Sequence, residues 1–342
     1  MSQRTPIIDC HVHALPPALL EQIAARPVHG WSAERVDAGW RVSVPGDAAP
    51  KLVRPPMVDA PRRAAWAEGQ GLTTQIVSPW LDAQPTAAMP AAAARDWAAR
   101  LNGALLEQET AAGNAVLATL ACADPGRAAD DLRQAVADGF AGVVLSTADA
   151  DTRLEPVWAA AAESRTPILL HPPSDGPSRA IEDSEEFGNT YGRLVDSTYA
   201  VTRLLLSGVL DRHPGLRLIL VHGGGFLPYQ ARRLDGGHRA DKLAGHRIAR
   251  DRPSDYLGDL HFDTVAMAPE AIAFLASVAG ADRVLLGSDH PFPLGDPDPV
   301  GTVRSAGLGE EATAAVLGGN AAGVFALPAG RAEPQSAEAG HA

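Results

Sequence analysis

The stretch PIIDCHVHALPP, residues 6–17, decides which fold the sequence predicts. Its first five residues, PIIDC, are largely apolar and include two isoleucines, as expected of a β-strand. Its last seven residues, HVHALPP, carry two histidines and two prolines. An open doubly wound sheet would need a glycine-rich phosphate turn directly after its first strand, and HVHALPP supplies none. The stretch therefore favours a closed barrel of alternating strands and helices over an open sheet.

Seven further apolar runs follow and are predicted to be strands. Most consist almost entirely of Val, Ile, Leu and Ala, which is typical of parallel strands covered on both faces. The runs are residues 72–80, 115–123, 140–147, 167–173, 217–224, 260–267 and 283–290. Ala-rich amphipathic stretches between them predict helices at residues 91–112, 126–138, 154–164, 196–212 and 269–280. Eight strands alternating with helices predict an α/β fold, a (β/α)8 TIM barrel.

Two segments are too long to be ordinary loops of such a barrel. Residues 14–60 form an insertion between the first strand and the first helix, with a hairpin-like piece, GWRVSVPGD, and residues 174–195 form a polar insertion after the fifth strand. Both are expected at the C-terminal rim, the first as a lid or small subdomain. We expect one barrel over residues 1–327 and, from its composition, a disordered tail over residues 328–342.

Composition narrows the classes of partner. The chain has 29 basic and 41 acidic residues, a formal net charge of −12, and no long basic run, so it repels nucleic-acid phosphates and anionic membranes. No segment is apolar enough to span a membrane, and the first residues lack a signal peptide. Cys10 and Cys122 lie in no metal or redox spacing. We therefore expect a cytoplasmic protein that binds neither nucleic acid nor membrane.

Chemically reactive side chains collect at the predicted strand ends. His11 and His13 alternate along the first strand, so their rings share one face. This pair alone is weak evidence, because 11 histidines in 342 residues give about 0.35 such pairs by chance. The fifth, sixth and eighth strands end in His171, His222 and Asp289. Because barrel enzymes keep their active sites on this rim, the combination indicates a functional site.

These side chains predict a site for one metal ion. Imidazoles and a carboxylate suit Zn²⁺, with Mn²⁺, Fe²⁺ and Co²⁺ as alternatives. The predicted ligands, which leave a position open for water or substrate, are His11, His13, His171 and Asp289. The fourth strand ends in Ser146-Thr147, which offers no lysine or glutamate to bridge a second ion. His222 is either the acid/base, placed before three glycines that give a substrate access to the backbone, or a fifth ligand.

This set of motifs resembles the amidohydrolase superfamily and, within it, the family of 2-amino-3-carboxymuconate-6-semialdehyde decarboxylase. The matching stretches are IDCHVH (8–13), LLHPP (169–173), SGVLDRHPGLRLILVHGGG (207–225), RVLLGSDHPFP (283–293) and GNAAGVFAL (319–327). The resemblance implies Zn²⁺ on the four predicted ligands, and it assigns catalysis to His222, which activates the metal-bound water, together with Asp289. Members are mostly nonoxidative decarboxylases of aromatic or muconate-type acids, and a minority hydrolyse or hydrate related substrates.

The resemblance also implies arginines that hold the substrate carboxylate, one of them lent by the other subunit of a homodimer. Arg233 falls where the lent arginine is expected, and Arg54, with Lys51 as its competitor, falls where the other is expected. Trp80, just past the second strand, either stacks on a planar substrate or packs within its loop. The 174–195 insertion departs from the family, because it is acidic where the family carries bulky apolar residues; its acidic residues are Glu182, Asp183, Glu185 and Glu186.

Three further residues lie near these motifs or share their residue type. Asp9 is in phase with the histidines and is expected to orient one of them as a hydrogen-bond acceptor. His290 is expected to point to the opposite face from Asp289, into a supporting or core position. His261 shows no partner spacing and is expected at the surface or in a loop.

The sequence thus predicts a metal-dependent nonoxidative decarboxylase, a carbon–carbon lyase, that acts on a small aromatic or unsaturated carboxylic acid. Two alternatives stay open. The same residues would serve a hydrolase of an amide, lactone or imine bond, with His222 as base and then acid. The other alternative is a barrel that has lost catalysis and only binds a ligand, and the complete residue set argues against it.

Overall fold

In the computed structural model, which describes residues 6–174, 176–181, 187–243 and 248–327, eleven strands form two sheets. Numbered along the chain, the strands of the larger sheet are β1 (Ile8–Ala14), β5 (Thr74–Pro79), β6 (Ala115–Thr119), β7 (Gly142–Ser146), β8 (Pro167–His171), β9 (Arg217–Leu220), β10 (His261–Asp263) and β11 (Val284–Leu285). They pair in that order, and every pair is parallel. Each overlaps one predicted apolar run, so the (β/α)8 prediction is confirmed.

Backbone hydrogen bonds close the larger sheet between β1 and residues 286–290. The Cys10 amide donates to the Leu286 carbonyl at 2.9 Å, and the Asp289 amide donates to the His11 carbonyl at 2.8 Å. These bonds leave the barrel without an open edge at this seam. The same bonds hold the His-x-His strand beside the segment that carries Asp289.

The described residues contain thirteen α-helices, among which all five predicted ranges are represented. They are α1 (Pro17–Ala25), α2 (Pro55–Val58), α3 (Ala60–Gly69), α4 (Ala91–Ala111), α5 (Pro125–Ala137), α6 (Glu155–Ser164), α7 (Arg193–Leu206), α8 (Val209–Arg212), α9 (Leu227–Arg239), α10 (Pro269–Ala279), α11 (Pro299–Arg304), α12 (Glu310–Ala314) and α13 (Asn320–Val324). Residues 196–212, predicted as one helix, form α7 and α8. Gly208 separates them with a left-handed φ of 73°, a conformation that glycine adopts without strain.

Apolar side chains fill the barrel beneath its rim. Val144, Leu169 and Ile219 are fully buried and form one cluster with Phe325, which follows α13. Leu169 and His171 are alternate residues of β8 and therefore share a face of the strand. The apolar layer thus lies below the histidines and leaves the rim as the place for polar chemistry.

The 14–60 insertion folds as the predicted small subdomain. It contains α1, α2 and the smaller antiparallel sheet, whose strands are β2 (Ser32–Val36), β3 (Gly39–Ser43) and β4 (Lys51–Val53). Its tight hairpin joins β2 to β3. The predicted hairpin-like piece GWRVSVPGD, residues 39–47, begins only with β3, so the observed turn precedes it. Trp31 stacks on Trp97 of α4 with ring centroids 4.3 Å apart, and both side chains are buried. This apolar contact attaches the subdomain to the barrel.

The second insertion is described only in part. Residues 177–180 form a short 3₁₀ helix, and α7 begins at Arg193. The four acidic residues predicted to distinguish this insertion, Glu182, Asp183, Glu185 and Glu186, lie outside the described residues, as does the tail over residues 328–342. Among the helices that the structure describes, none has the length and apolarity needed to cross a membrane.

Candidate metal centre

Strand β1 presents His11 and His13 to one point on the rim. Both side chains are fully buried, and their Nε2 atoms lie 3.1 Å apart. The Ser78 hydroxyl donates to the Val12 carbonyl and accepts from Nδ1 of His13 at 3.0 Å. Nδ1 of His11 donates to Asp263 at 2.6 Å. With both protons on Nδ1, the two Nε2 lone pairs face each other.

His171 and Asp289 complete the cluster. His171 is the last residue of β8, and Asp289 lies four residues after the end of β11. Nδ1 of His171 donates to the Pro172 carbonyl at 2.9 Å, which leaves its Nε2 atom with no hydrogen-bond partner among the described residues. Oδ1 of Asp289 lies 3.1 Å from Nε2 of His13. One potential ligand atom from each of the four predicted residues falls within 4.8 Å of the other three. The Nε2 lone pairs of the three histidines and one carboxylate oxygen of Asp289 all point inward and fit a cation. These four acceptor atoms have no hydrogen atoms between them, so they cannot all satisfy one another by hydrogen bonding.

The electrostatics of the cluster favour a positive ion. Burial lowers the pKa of His13 and His171, so both rings are neutral and able to bind a metal. Burial acts to raise the pKa of Asp289, and the neighbouring imidazoles outweigh it and hold that pKa well below its usual range. Burial acts to lower the pKa of His11. The carboxylates of Asp289 and Asp263 together outweigh burial, so the pKa of His11 is raised. Positive charge is therefore stabilised at the His11 ring, whereas His13 and His171 stay neutral and offer lone pairs to a metal ion.

Asp263 is a site residue that the sequence reasoning missed. Its Oδ2 atom accepts from His11, and its Oδ1 atom accepts from the amides of Gly223 and Val265 at 2.8 and 3.1 Å. It thereby orients a metal ligand and holds the backbone next to His222. The available signal was its position in HFDT, an acid at the end of the predicted seventh strand.

The role predicted for Asp9 was wrong. Its carboxylate accepts from the amide and hydroxyl of Ser288, at 3.0 and 2.5 Å, and from the His11 amide at 3.1 Å. It therefore ties β1 to the segment after β11 and touches no histidine ring within hydrogen-bonding distance in the described residues. The register between β1 and β5 shifts between Asp9 and Val12. The prediction assumed that side chains alternate regularly along β1, and such a shift interrupts that alternation.

His222 lies at the edge of the cluster. Its Nε2 atom is 3.5 Å from Oδ2 of Asp289, its side chain is 11% exposed, and its Nδ1 atom has no partner among the described residues. It adopts a positive φ of 56°, followed by three glycines that also have positive φ. A Cβ on Gly224 would lie 2.6 Å from Phe262, so only glycine allows this close turn. The arrangement leaves one imidazole nitrogen available for proton transfer beside Asp289.

The predicted substrate-binding residues lie on separate elements. Arg54 precedes α2 and Arg233 lies on α9; both are exposed and have no ion-pair partner in the described part of the chain. Lys51, the competitor of Arg54, is held by Asp82 at 2.8 Å and by a second carboxylate. Trp80 is 4% exposed and belongs to the apolar cluster of the small subdomain. None of these placements tests contact with a substrate.

Two other histidines occupy buried or half-buried positions. His290 stacks on Trp66 with ring centroids 3.9 Å apart, away from the metal cluster, in a supporting position as predicted. His261 begins β10 and is buried, so its predicted place at the surface or in a loop was wrong. The short strand β10 follows a 3₁₀ helix over residues 253–259, and the sequence pattern did not show that this histidine lies inside the barrel wall.

A closed barrel with a buried cluster of three histidines and one aspartate on its C-terminal rim defines a class of mononuclear metal-dependent barrel proteins. Family comparison identifies the class: the chain belongs to the amidohydrolase family, whose model matches residues 8–327. A 2-amino-3-carboxymuconate-6-semialdehyde decarboxylase, of the family that the motifs resemble, is among the relatives that match part of the chain.

Two relatives and one solved structure illustrate the similarity. The chain is 29% identical to gamma-resorcylate decarboxylase of Rhizobium sp. strain MTP-10005 over 73% of this chain and 82% of that protein. It is 32% identical to 2-amino-3-carboxymuconate-6-semialdehyde decarboxylase of Dictyostelium discoideum over 38% of this chain and 36% of that protein. A dihydroxybenzoic acid decarboxylase of Polaromonas sp. JS666, solved with manganese and 2-nitroresorcinol, has a TM-score of 0.75 at 23% identity, covering 94% and 97% of the two chains.

Proposed function

We propose that this protein is a metal-dependent nonoxidative decarboxylase of a small aromatic or unsaturated carboxylic acid. The observation that carries the proposal is the converging set of three Nε2 lone pairs and one carboxylate, with His222 beside it. The relatives named as decarboxylases supply the reaction class.

The proposed cofactor is one divalent ion held by His11, His13, His171 and Asp289. When bound, it acts as a Lewis acid that orients a substrate oxygen and lowers the pKa of water. Zn²⁺ is our expectation from the nitrogen-rich ligand set, with Mn²⁺, Fe²⁺ and Co²⁺ as alternatives. Manganese in the Polaromonas structure supports Mn²⁺ as the first alternative to test.

The proposed role of His222 is proton transfer, including the activation of water predicted from the sequence. In decarboxylation the carbon that bears the carboxylate takes a proton on a π electron pair. The bond to the carboxylate then breaks, its electron pair restores the π bond, and CO₂ leaves. His222 can hold and deliver such a proton because one of its ring nitrogens is unpartnered and the other faces Asp289. The buried carboxylate of Asp289, 3.5 Å from Nε2, orients the ring.

We further propose a homodimer in which Arg233 reaches the neighbouring site, while Arg54 and Trp80 contact the substrate within their own subunit. Tyr229 and Arg233 are four residues apart on α9 and therefore share a face of the helix. Tyr229 is 73% exposed and lies against Phe274, which is 40% exposed. An exposed aromatic pair next to an unpaired arginine supports this face as a subunit contact.

The proposed activity is tested by CO₂ release. Metal-loaded protein is incubated with γ-resorcylate, related hydroxybenzoates and 2-amino-3-carboxymuconate-6-semialdehyde, and CO₂ and the decarboxylated product are both quantified. We expect stoichiometric amounts of the two. Ring opening or amine release from lactone, amide or imine substrates, without CO₂ from any acid, would instead support the hydrolase alternative.

The shared site is tested by subunit mixing. Arg233→Ala and His222→Ala are each expected to be inactive as homodimers. Each mixed dimer should have about half of the wild-type activity, because one of its two sites then has both residues, and a freely exchanging 1:1 mixture should show about a quarter. Dimers confirmed by light scattering that show no recovery would contradict the lent arginine.

A further inference from the structure

A second cavity lies at the opposite end of the barrel from the metal cluster. It has a volume of about 550 Å³ and opens where β8, β9, β10 and β11 begin. Its lining includes four arginines, Arg165, Arg217, Arg250 and Arg283. The chain as a whole has a net charge of −12, so four guanidinium groups around one cavity are an unusual local concentration of positive charge.

Two of these arginines are paired and two are not. Arg250 forms an ion pair with Asp259, and Arg283 lies 3.3 Å from the carboxylate of Asp282. Arg165 and Arg217 have no carboxylate partner within the described ranges; Arg217 donates only to a backbone carbonyl, at 2.7 Å. Partial burial, followed by the charge of Arg165, lowers the pKa of Arg217. The two guanidinium groups therefore repel each other without a counter-ion.

A buried imidazole faces the same cavity. His261 is 94% buried, and its Nδ1 atom has no hydrogen-bond partner among the described residues. An unpartnered polar atom at such a buried position costs free energy unless a ligand or water pairs it. Burial, then the charges of Arg283 and Arg217, lower the pKa of His261 to about 4. An anion in the cavity would relieve the crowded positive charge beside this ring.

We propose that this cavity is a binding site for a phosphate-bearing small molecule, with Arg165 and Arg217 holding the phosphate oxygens and His261 completing the contact. Two guanidinium forks without a carboxylate partner in the described residues supply more donors than one carboxylate can accept, and a phosphate group can use more of them. A cavity of about 550 Å³ is in the range of sites for whole small molecules, so it also holds the organic part of the ligand.

The cavity and the metal cluster lie at opposite ends of the same four strands. Arg165, Arg217, His261 and Arg283 stand at or just before the first residues of four consecutive strands. The other ends of those strands lead to His171, His222, Asp263 and Asp289. Ligand binding that removes repulsion at one end of these strands stabilises the folded state that carries the metal ligands. The site is independent of the reaction that the metal cluster performs.

Inorganic phosphate is the probe for the test. It is titrated into the full-length protein at constant ionic strength, and binding is followed by calorimetry and by the rise in unfolding temperature. We expect saturable binding at one site, weakened about tenfold or more in Arg165→Gln and in Arg217→Gln, and partly retained in Arg165→Lys. Arg304→Gln, which removes an exposed arginine on α11, is the matched control and should bind as the wild type does.

The position of the bound phosphate is tested with protein that is isotope-labelled at its histidine rings. In spectra of protein labelled at the imidazole rings, the His261 signals should shift on addition of phosphate, even where a variant is less stable. Equal affinity in Arg165→Gln and wild type, or unmoved His261 signals at saturation, would overturn the proposal. Acetate that binds as tightly as phosphate would overturn the assignment to phosphate-bearing ligands.

Discussion

At the scale of single residues, the site depends on which nitrogen of each imidazole carries the proton. Nδ1 of His11 donates to Asp263, Nδ1 of His13 to Ser78, and Nδ1 of His171 to a backbone carbonyl, so each ring directs Nε2 inward. The strand-end pattern was enough to predict the four side chains that converge on one point of the rim. It did not pair Asp263 with His11, because β10 and β1 are not neighbours in the sheet and only the closed barrel brings their side chains together.

The partner of His11 gives the first prediction. Asp263→Asn removes the charge that orients the ring, and we expect metal affinity to fall on the order of 10- to 100-fold while the fold is kept. Competition with a fluorescent chelator measures this affinity, and far-UV circular dichroism checks the fold. Asp298→Asn, at the start of α11 and remote from the cluster, is the control. An Asp263→Asn protein with wild-type metal affinity would show that this hydrogen bond does not matter for binding.

His222 gives the second prediction. His222→Asn removes the proton-transfer group, and kcat should fall on the order of 10²- to 10⁴-fold while about one equivalent of metal is retained. Elemental analysis and steady-state kinetics measure the two quantities separately. Metal content falling together with activity would instead identify His222 as a ligand, the alternative that the sequence left open.

At the scale of secondary-structure elements, the eight strands followed from their apolar runs, whereas boundaries set by single backbone conformations did not. Gly208 divides the predicted 196–212 helix because its φ is positive, and sequence periodicity does not report φ. The 14–60 insertion was recognised by its length, but its three-stranded sheet could not be, because β2 and β4 are short and largely solvent-exposed.

The contact between the insertion and α4 gives the third prediction. Trp97 stacks on Trp31 and donates from Nε1 to the Ala83 carbonyl at 2.7 Å. Trp97→Ala should lower the free energy of unfolding by about 3–5 kcal/mol, since it leaves a large cavity and an unpaired carbonyl. Urea denaturation measures the change, and Trp97→Phe should cost less. A loss below about 1 kcal/mol would mean that the subdomain docks without this stack.

At the scale of the whole molecule, buried histidines make stability depend on pH. The pKa of His261 is about 4 in the folded state, from burial and then from Arg283 and Arg217, against 6.5 as its usual value. Between these values the unfolded chain binds a proton that the folded chain does not. Stability is therefore intact above about pH 6.5 and falls as the pH drops towards 4.

This dependence gives the fourth prediction. In a buffer without phosphate, the free energy of unfolding should fall as the pH drops from 6.5 to 4, and His261 should contribute a slope of up to about 1.4 kcal/mol per pH unit. His261→Gln should reduce the slope, whatever its effect on stability at pH 7.5. Urea titrations at four pH values compare the slopes, and parallel curves for both proteins would contradict the prediction.

The seam that closes the barrel also constrains the order of events during synthesis. Asp9 and Ser288 are hydrogen-bonded across 279 residues, and His11 and Asp289 flank that contact. A ribosome releases the first histidines long before the last strand emerges, so the nascent chain holds exposed imidazoles without their carboxylate partner. An ion that needs all four of the predicted ligands can therefore bind only after nearly the whole barrel has left the ribosome, and its binding would report that the two distant ends have met.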